Sequence, residues 1–278
     1  MVSASSPRMK FFSPGRLTFW GAILCLAGYA FLVEPVWVEV THHPVENGSS
    51  GDRIRVAQLS DLHLQNIGRT EQNTLEAVKE ITPDVILMTG DVVDRPDTLP
   101  VLDAFLAKLD APVKLAVLGN WEYWGGVDQA ELHKIYARHG VRLLINECVQ
   151  TTVAGQTLRV AGLDDFTAGR PNASKLDPAC IGSGDNLILI QHSPGFFESA
   201  KRPAFMPTPT LALSGHTHGG QASLFGYAFW TPPGSGSYNR GWSDTEWGKL
   251  YVSRGVGTSL TKVRFASRPE VAVFELQP

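Results

Sequence analysis

Five short apolar runs in this chain each end on side chains that can hold a cation. "LSDLHL" ends one with Asp61 and His63, "MTGDVVD" one with Asp91 and "VLGNWEYW" one with Asn120; "LIQHSPG" ends one with His192 and "LSGHTHGGQ" one with His216 and His218. Runs of this kind read as buried strands, and the glycines beside them as their stops. In open α/β sheets, sites gather at the carboxyl edge of the strands. A lone strand-end Asp is usually a helix cap, and a lone His a satisfied core residue. Seven nitrogen and oxygen donors together, with no thiolate, are hard to explain as caps. The chain therefore has to fold so that five strand ends meet.

The rest of the pattern supplies such a fold. Strand-like 54–61, 84–91 and 114–120 alternate with helix-like 70–81, 99–109 and 128–140. Leu75, Val78 and Ile81 make one face of the first helix, and Gly140 closes the third. "VRLLIN", "TLRVAGLDD", "NLILIQH", "TLALSGH", "KLYVSRG" and "EVAVFEL" then follow as strands. Alternation first and mostly strands later predicts an α/β protein of two packed mixed β-sheets flanked by helices. With 278 residues, 43% of them hydrophobic, the chain can bury a large core. The glycine spacing of the 231–241 loop does not fit a nucleotide fingerprint.

"LTFWGAILCLAGYAFLV", Leu17–Val33, carries no charge. A bilayer span takes roughly 17–25 residues. Arg8, Lys10 and Arg16 precede the run, and Glu34 and Glu39 follow it. The positive-inside rule then gives a short cytoplasmic segment (1–16), a single transmembrane anchor (17–33), a polar linker (34–52) and a catalytic domain (53–278) outside the cytoplasm of an inner-membrane protein. Arg53 and Arg55 weigh against that orientation. A cleaved signal peptide is the rival, but no small-x-small site ends the run. His42 and His43 fall in the linker and read as solvated. A net charge of −3 leaves no broad basic face, so no nucleic-acid partner is expected. Cys148 and Cys180 are open to a disulfide outside the cytosol; two buried free thiols are the preferred expectation.

The donor set is too large for one metal and about right for two divalent ions. Asp91, after a tight turn, is the natural bridge between ions about 3.5–4 Å apart. Imidazole with carboxylate suits Mn, Fe, Zn or Ni, with Mn taken as the leading expectation.

These residues resemble the five blocks of the calcineurin-like metallophosphoesterases: D-x-H, G-D, G-N-H-[DE], a later H, and G-H-x-H. The blocks stand in family order from about residue 53 to the end. The "GHTHGGQ" and "LYVSRGVGTS" segments resemble the membrane-anchored bacterial subgroup of predicted phosphohydrolases. The resemblance implies the family's αββα sandwich. It implies that Asp61, His63, Asp91 and His218 bind a first metal, and that Asp91, Asn120, His192 and His216 bind a second. It implies in-line attack on phosphorus by a hydroxide bridging the ions.

One position departs from the family. Trp121 stands where a histidine usually follows the block-three Asn, so the usual leaving-group acid is missing; Trp has one N–H and no titratable proton. Glu122 is the expected substitute beside Asn120, with Tyr123 a weaker one, and Trp121 is free to stack on substrate. Arg254 and Tyr238 are the other expected substrate contacts, with Arg240 behind them. Asp94, Asp164 and Asp165 read as caps or as residues that orient the donors. Phe225, Tyr227, Phe229, Trp230, Tyr238, Trp242 and Trp247 read either as core or as an apolar groove or membrane-facing lip.

The expected activity is hydrolysis of a phosphodiester or pyrophosphate bond in a phosphorylated small molecule or lipid-linked substrate. UDP-2,3-diacylglucosamine is the leading example, and a cell-envelope phosphodiester the better fit to an outward-facing domain. The alternative is a catalytically weak or dead metal-binding, membrane-tethered adaptor. No expectation about oligomeric state arises.

Overall fold

The computed structural model describes residues 14–47, 51–182, 186–224 and 227–277. Arg8, Lys10 and Phe225 lie outside the described residues.

Helix α1 (Pro14–Gly28) is largely apolar and is exposed over residues 15–27. A π-helical turn (Tyr29–Val33) and a 3-10 turn (Glu34–Val36) continue it. The continuous helical stretch Gly15–Val36 is long and apolar enough to cross a membrane. Length and composition weakly support an anchor. The last turns are not free of the domain: Thr70 Oγ1 donates to Pro35 O at 2.9 Å, and Asn73 Nδ2 to Val36 O at 2.8 Å.

The expected linker is in part a strand. Strand β1 (Glu39–Glu46) pairs in parallel with the last strand of the chain, Glu39 with Glu270 through Glu46 with Gln277. From Thr41 onward its side chains alternate between intermediate and exposed, as an edge strand's do. The polar, proline-containing sequence "EVTHHPVE" conceals it, because its partner is more than 200 residues away. His43 is accordingly half-buried, stacked 5.3 Å from the Phe274 ring.

The remaining elements follow the predicted alternation. Strand β2 (Ile54–Leu59), helix α2 (Arg69–Ile81), strand β3 (Val85–Thr89), helix α3 (Leu99–Leu106) and strand β4 (Val113–Val117) come first. Then come α4 (Asn120–Trp124), α5 (Gln129–Arg138) and β5 (Val141–Leu143). Asp128 caps α5, its carboxylate accepting the Ala130 N–H at 2.8 Å. The face of α2 that is buried carries Thr74, Val78 and Ile81, while Leu75 lies at its margin. Strands β6 (Glu147–Val153), β7 (Gln156–Gly162), β8 (Leu187–Ile190) and β9 (Leu211–Ser214) follow. A small hairpin of β10 (Ser223–Leu224) and β11 (Tyr227–Ala228) precedes β12 (Gly241–Thr245), β13 (Gly248–Val252) and β14 (Glu270–Gln277).

The strands form two six-stranded mixed sheets, ordered β1-β14-β2-β3-β4-β5 and β12-β13-β9-β8-β7-β6. Ile54, Val56, Leu87, Val117, Ile188, Leu213 and Phe274 are among the side chains buried between them. Helices α2, α3 and α5 cover the outer face of the first sheet through Val78, Leu102, Phe105 and Leu132. The fold is the expected two-sheet α/β sandwich.

Cys148 and Cys180 are not free thiols. They form a disulfide between β6 and the short helix at 178–181, with their Cα atoms 6.0 Å apart. A sequence separation of 32 hid that proximity.

Candidate metal centre

Strands β2, β3 and β4 run parallel in one sheet, and β8 and β9 in the other. Their carboxyl ends meet at one edge of the sandwich. The backbone ladder runs on past the strands: the Asp61 N–H donates to Gly90 O at 3.0 Å, the His63 N–H to Asp91 O at 3.0 Å and the Gly215 N–H to His192 O at 3.0 Å. The sheets are also tied across this edge. Gln58 Nε2 donates to Ser214 O at 2.9 Å, and the His216 N–H to Asp61 Oδ1 at 2.9 Å.

Five of the seven predicted donors leave their strands in the left-handed region: Asp61 (φ 51°), His63 (45°), Asp91 (51°), His216 (72°) and His218 (52°). Side chains other than glycine, Asn and Asp avoid this region, and where they occupy it the surroundings hold them there, often at functional sites. This answers how two alternate histidines converge: the positive φ at each breaks the two-sided alternation of an extended chain. Gly119 permits the close approach of the third loop, since a Cβ there would overlap the Asp91 side chain.

Two groups of buried donors result. Asp61, His63 and His218 form one, and Asp91, His192 and His216 the other; the offered atoms of each group lie within 4.8 Å of one another. Asp91 Oδ2 lies between the groups, 3.2 Å from His192 Nε2 and 3.8 Å from His63 Nε2. Asn120 Oδ1 stands 3.2 Å from His192 Nε2, and His216 Nδ1 also 3.2 Å from it. All seven predicted donors are thus brought together.

Three of the imidazoles are held by their other nitrogen. His63 Nδ1 meets Asp94 Oδ1 at 2.5 Å, His192 Nδ1 meets Thr89 O at 2.7 Å and His216 Nε2 meets Pro233 O at 2.8 Å. Donation to these oxygens fixes each tautomer and turns a lone pair toward the centre. His218 Nε2 lies 3.0 Å from His63 Nε2 and 3.4 Å from Asp61 Oδ1, and its buried Nδ1 has no hydrogen-bond partner. A buried cluster with more acceptors than protons, and with an orphaned imidazole nitrogen, fits divalent cations of the imidazole–carboxylate class.

The charge states divide the four imidazoles: burial lowers all of them, but nearby carboxylates outweigh it at His63 and His192 and lift both above the usual histidine range. Burial, aided by His192, pushes His216 down to about 4. Burial, with His63 and Arg264 beside it, holds His218 well below the usual histidine range. Both imidazoles are therefore neutral, as ligands must be. Burial disfavours the Asp91 carboxylate, but His192, by charge and hydrogen bond, and His63 outweigh it and keep Asp91 far below the usual range.

The structure redirects five expected residues. Glu122 does not face the centre: its Oε1 accepts the Val92 N–H at 2.6 Å, and its Oε2 the Gly119 N–H at 2.9 Å and the Asp91 N–H at 3.2 Å. Burial and then the Asp91 charge push it up to about 7, against the pull of the amides. It holds the Asp91 loop. Arg254 turns to carboxylates instead, Nη2 donating to Glu39 at 2.8 Å and to Glu270 at 3.1 Å. Tyr238 packs against the core of the second sheet. Arg240 Nη1 is engaged with Ala266 O at 2.7 Å. Tyr123 donates to Asp164 Oδ1 at 2.5 Å, and Asp165 accepts from Ser193 Oγ at 2.6 Å.

Trp121 does line the centre. Its ring meets the His63 ring edge-on at 6.2 Å, and it forms part of a cavity of about 570 Å³ whose floor includes Asp91, Asn120, His216 and His218. Trp124, Phe229, Trp230, Leu260 and Val263 form its apolar wall. The expected aromatic cluster divides. Phe229 and Trp230 are at the cavity. Trp247 is fully buried, Nε1 donating to Ala200 O at 2.9 Å, and Trp242 packs with His43 and Tyr251. Trp124, Leu260 and Val263 were not singled out from sequence; no periodicity marks them.

The family of calcineurin-like phosphoesterases matches residues 54–220. An uncharacterized metallophosphoesterase, YkuE, of Bacillus subtilis (strain 168) is 33% identical over 276 residues, covering 95% of this chain and 92% of its own. The phosphodiesterase YaeI of Escherichia coli (strain K12) is 28% identical, covering 90% of this chain and 92% of its own. A transmembrane protein with metallophosphoesterase domain from Bos taurus is 28% identical over 92% of this chain and 60% of its own length. Family and fold together define a metal-dependent phosphoesterase, a hydrolase, and the site holds two candidate metal-ligand clusters. The chain belongs to the calcineurin-like phosphoesterase family.

Proposed function

We propose that this protein hydrolyses a phosphodiester or pyrophosphate bond of an amphipathic, membrane-associated substrate. Asp61, His63, Asp91 and His218 would hold one divalent cation, and Asp91, Asn120, His192 and His216 the other. The observation that carries the reading is one cavity with apolar walls that reaches both donor groups, touching His218 of the first and Asp91 and His216 of the second. When bound, the cations supply an ionised water near neutral pH and neutralise charge on the phosphoryl oxygens.

This chain's own residues do the rest. Asp94, Thr89 O and Pro233 O keep three imidazoles aimed. Glu122 holds the Asp91 loop through backbone amides. Trp121 gives the substrate a flat apolar wall beside His63. Among the described residues lining the cavity, the titratable ones are Asp91, His216 and His218, all taken as ligands. Among these described lining residues none is left to protonate the leaving group, which favours one that departs readily, such as a nucleoside phosphate or an acidic alcohol.

The Cys148–Cys180 disulfide supports a domain outside the cytosol. That favours an envelope phosphodiester over UDP-2,3-diacylglucosamine. Trp121 in the family's histidine position favours a second reading, a metal-binding adaptor without turnover.

The test uses the full-length protein in detergent, stripped and reloaded with Mn²⁺. It is assayed on a bis-aryl phosphodiester, an aryl monoester, a lipid phosphodiester and UDP-2,3-diacylglucosamine. Turnover of a diester or pyrophosphate that Asp91→Asn abolishes supports the proposal. Bound metal with no turnover of any of the four overturns it and leaves the adaptor.

A further inference from the structure

The apolar wall of the metal cavity opens to solvent. Trp124 is 55% exposed, Trp230 61%, Phe229 71% and Leu260 81%. A soluble surface seldom leaves such a patch uncovered beside a site unless something docks there.

The same wall is tied to the end of the membrane helix through one short segment. The Phe265 N–H donates to Gln221 O at 3.0 Å, and Phe265 O accepts the Ser223 N–H at 2.8 Å, so the hairpin that leads to Phe229 is laddered onto residue 265. The Phe265 ring meets Tyr29 edge-on at 6.4 Å, and the Arg264 N–H donates to Ala30 O at 3.0 Å. The Glu34 carboxylate, fully buried, accepts the Ala266 and Ser267 N–H groups at 3.0 and 2.6 Å. Leu260 and Val263 of the wall lie at the start of this segment. Its sequence, "LTKVRFASR", holds three cations and no acid. Lys262 is exposed, and Arg268 sits 4.7 Å over the Trp37 ring just beyond the helix. Tryptophan and basic side chains at the end of a membrane helix mark the headgroup level.

We propose that the lip of Trp124, Phe229, Trp230 and Leu260 is seated in the headgroup layer of the bilayer that the N-terminal helix spans, with Lys262 against anionic lipid. The occupant of the wall is thus the membrane surface. The continuity from Tyr29 through Phe265 to Phe229 favours it over a separate protein, because the anchor itself delivers the wall to the bilayer. Insertion of exposed aromatic and aliphatic side chains at that depth follows from their apolar area and from attraction of the basic side chain to anionic lipids. The cavity then opens toward headgroups, and its substrate, resting on the phosphodiesterase reading above, is a lipid phosphoester drawn from that plane.

The test reads depth, not turnover, so its failure is separable from failure of the proposed activity. Full-length protein carrying Cys25→Ser is reconstituted in phosphatidylcholine–phosphatidylglycerol vesicles. A nitroxide is placed at Leu260→Cys, at Phe229→Cys or, on α5 away from the lip, at Lys134→Cys. The expected result is relaxation of the first two labels mainly by oxygen and of the third mainly by a water-soluble nickel chelate. Equal access of the chelate to all three labels overturns the proposal and leaves the lip to a protein partner.

Discussion

Asp91 and Trp121 are joined by a hydrogen bond from the Trp121 N–H to Asp91 Oδ1 at 2.8 Å. One oxygen of the carboxylate is thereby fixed on the helix α4 backbone, and the other stands between the two donor groups. Asp91→Asn keeps the amide oxygen able to accept from Trp121, but puts an N–H₂ group where the proposed centre would need a carboxylate oxygen. The variant should stay folded by circular dichroism and lose activity by at least about 100-fold, with less metal retained by elemental analysis. Full activity with full metal content would remove Asp91 from the bridge.

Asp94 acts through His63. At 2.5 Å from Nδ1, it fixes the ring and raises the basicity of the other nitrogen. Burial pulls the His63 pKa down, but the Asp94 hydrogen bond and the charges of Asp91 and Asp61 lift it above its ordinary value. Asp94→Asn should lower metal affinity about 10–100-fold, read by competition with a chelator. Unchanged affinity would reduce Asp94 to a loop cap.

Glu270 joins the two sheets. It accepts from Tyr251 OH at 2.7 Å, Thr41 Oγ1 at 2.9 Å, Arg254 N at 2.9 Å and Arg254 Nη2 at 3.1 Å. Burial raises its pKa, but the Arg254 charge and these donors overcome that and leave it below 4.5. Between the folded and unfolded values the unfolded chain binds more protons, so stability falls with falling pH. The contribution is complete above pH 4.5 and lost as pH drops below it. Glu270→Gln should cost about 2 kcal/mol at neutral pH and flatten the acid limb of a thermal-melting series. An unaltered acid limb would assign it to other carboxylates.

The seven donors were legible because their side-chain types recur at the carboxyl ends of apolar runs, and parallel strands bring such ends together whatever the loops do. Glu122 was misread because adjacency in sequence was taken as adjacency in space. Two residues along α4 rotate it about 200° from Asn120 and point it at the backbone of the Asp91 loop. Arg254 was read as free for phosphate, since nothing local shows that Glu39 and Glu270 lie beside it. Strand β1, the Cys148–Cys180 bridge and the Leu260 wall rest on contacts between distant segments. Single-sequence patterns carry no such information.

Trp121 sets the last prediction, on the chemistry of the leaving group. Its ring stands beside His63 at the cavity, and Glu122, the expected replacement acid, is committed to amides. An unassisted leaving group carries its negative charge away, so turnover should fall steeply as the pKa of the departing alcohol rises. Trp121→His restores a titratable donor at that position. General-acid assistance is worth roughly 10²–10⁴-fold when well placed, and an imidazole introduced without its supporting partners should deliver about 10-fold. The gain should appear on alkyl phosphodiesters and vanish on nitrophenyl ones, so that log kcat against leaving-group pKa becomes shallower in the variant. Parallel lines would mean that proton delivery does not pass through this position, and would leave Trp121 as a wall for substrate alone.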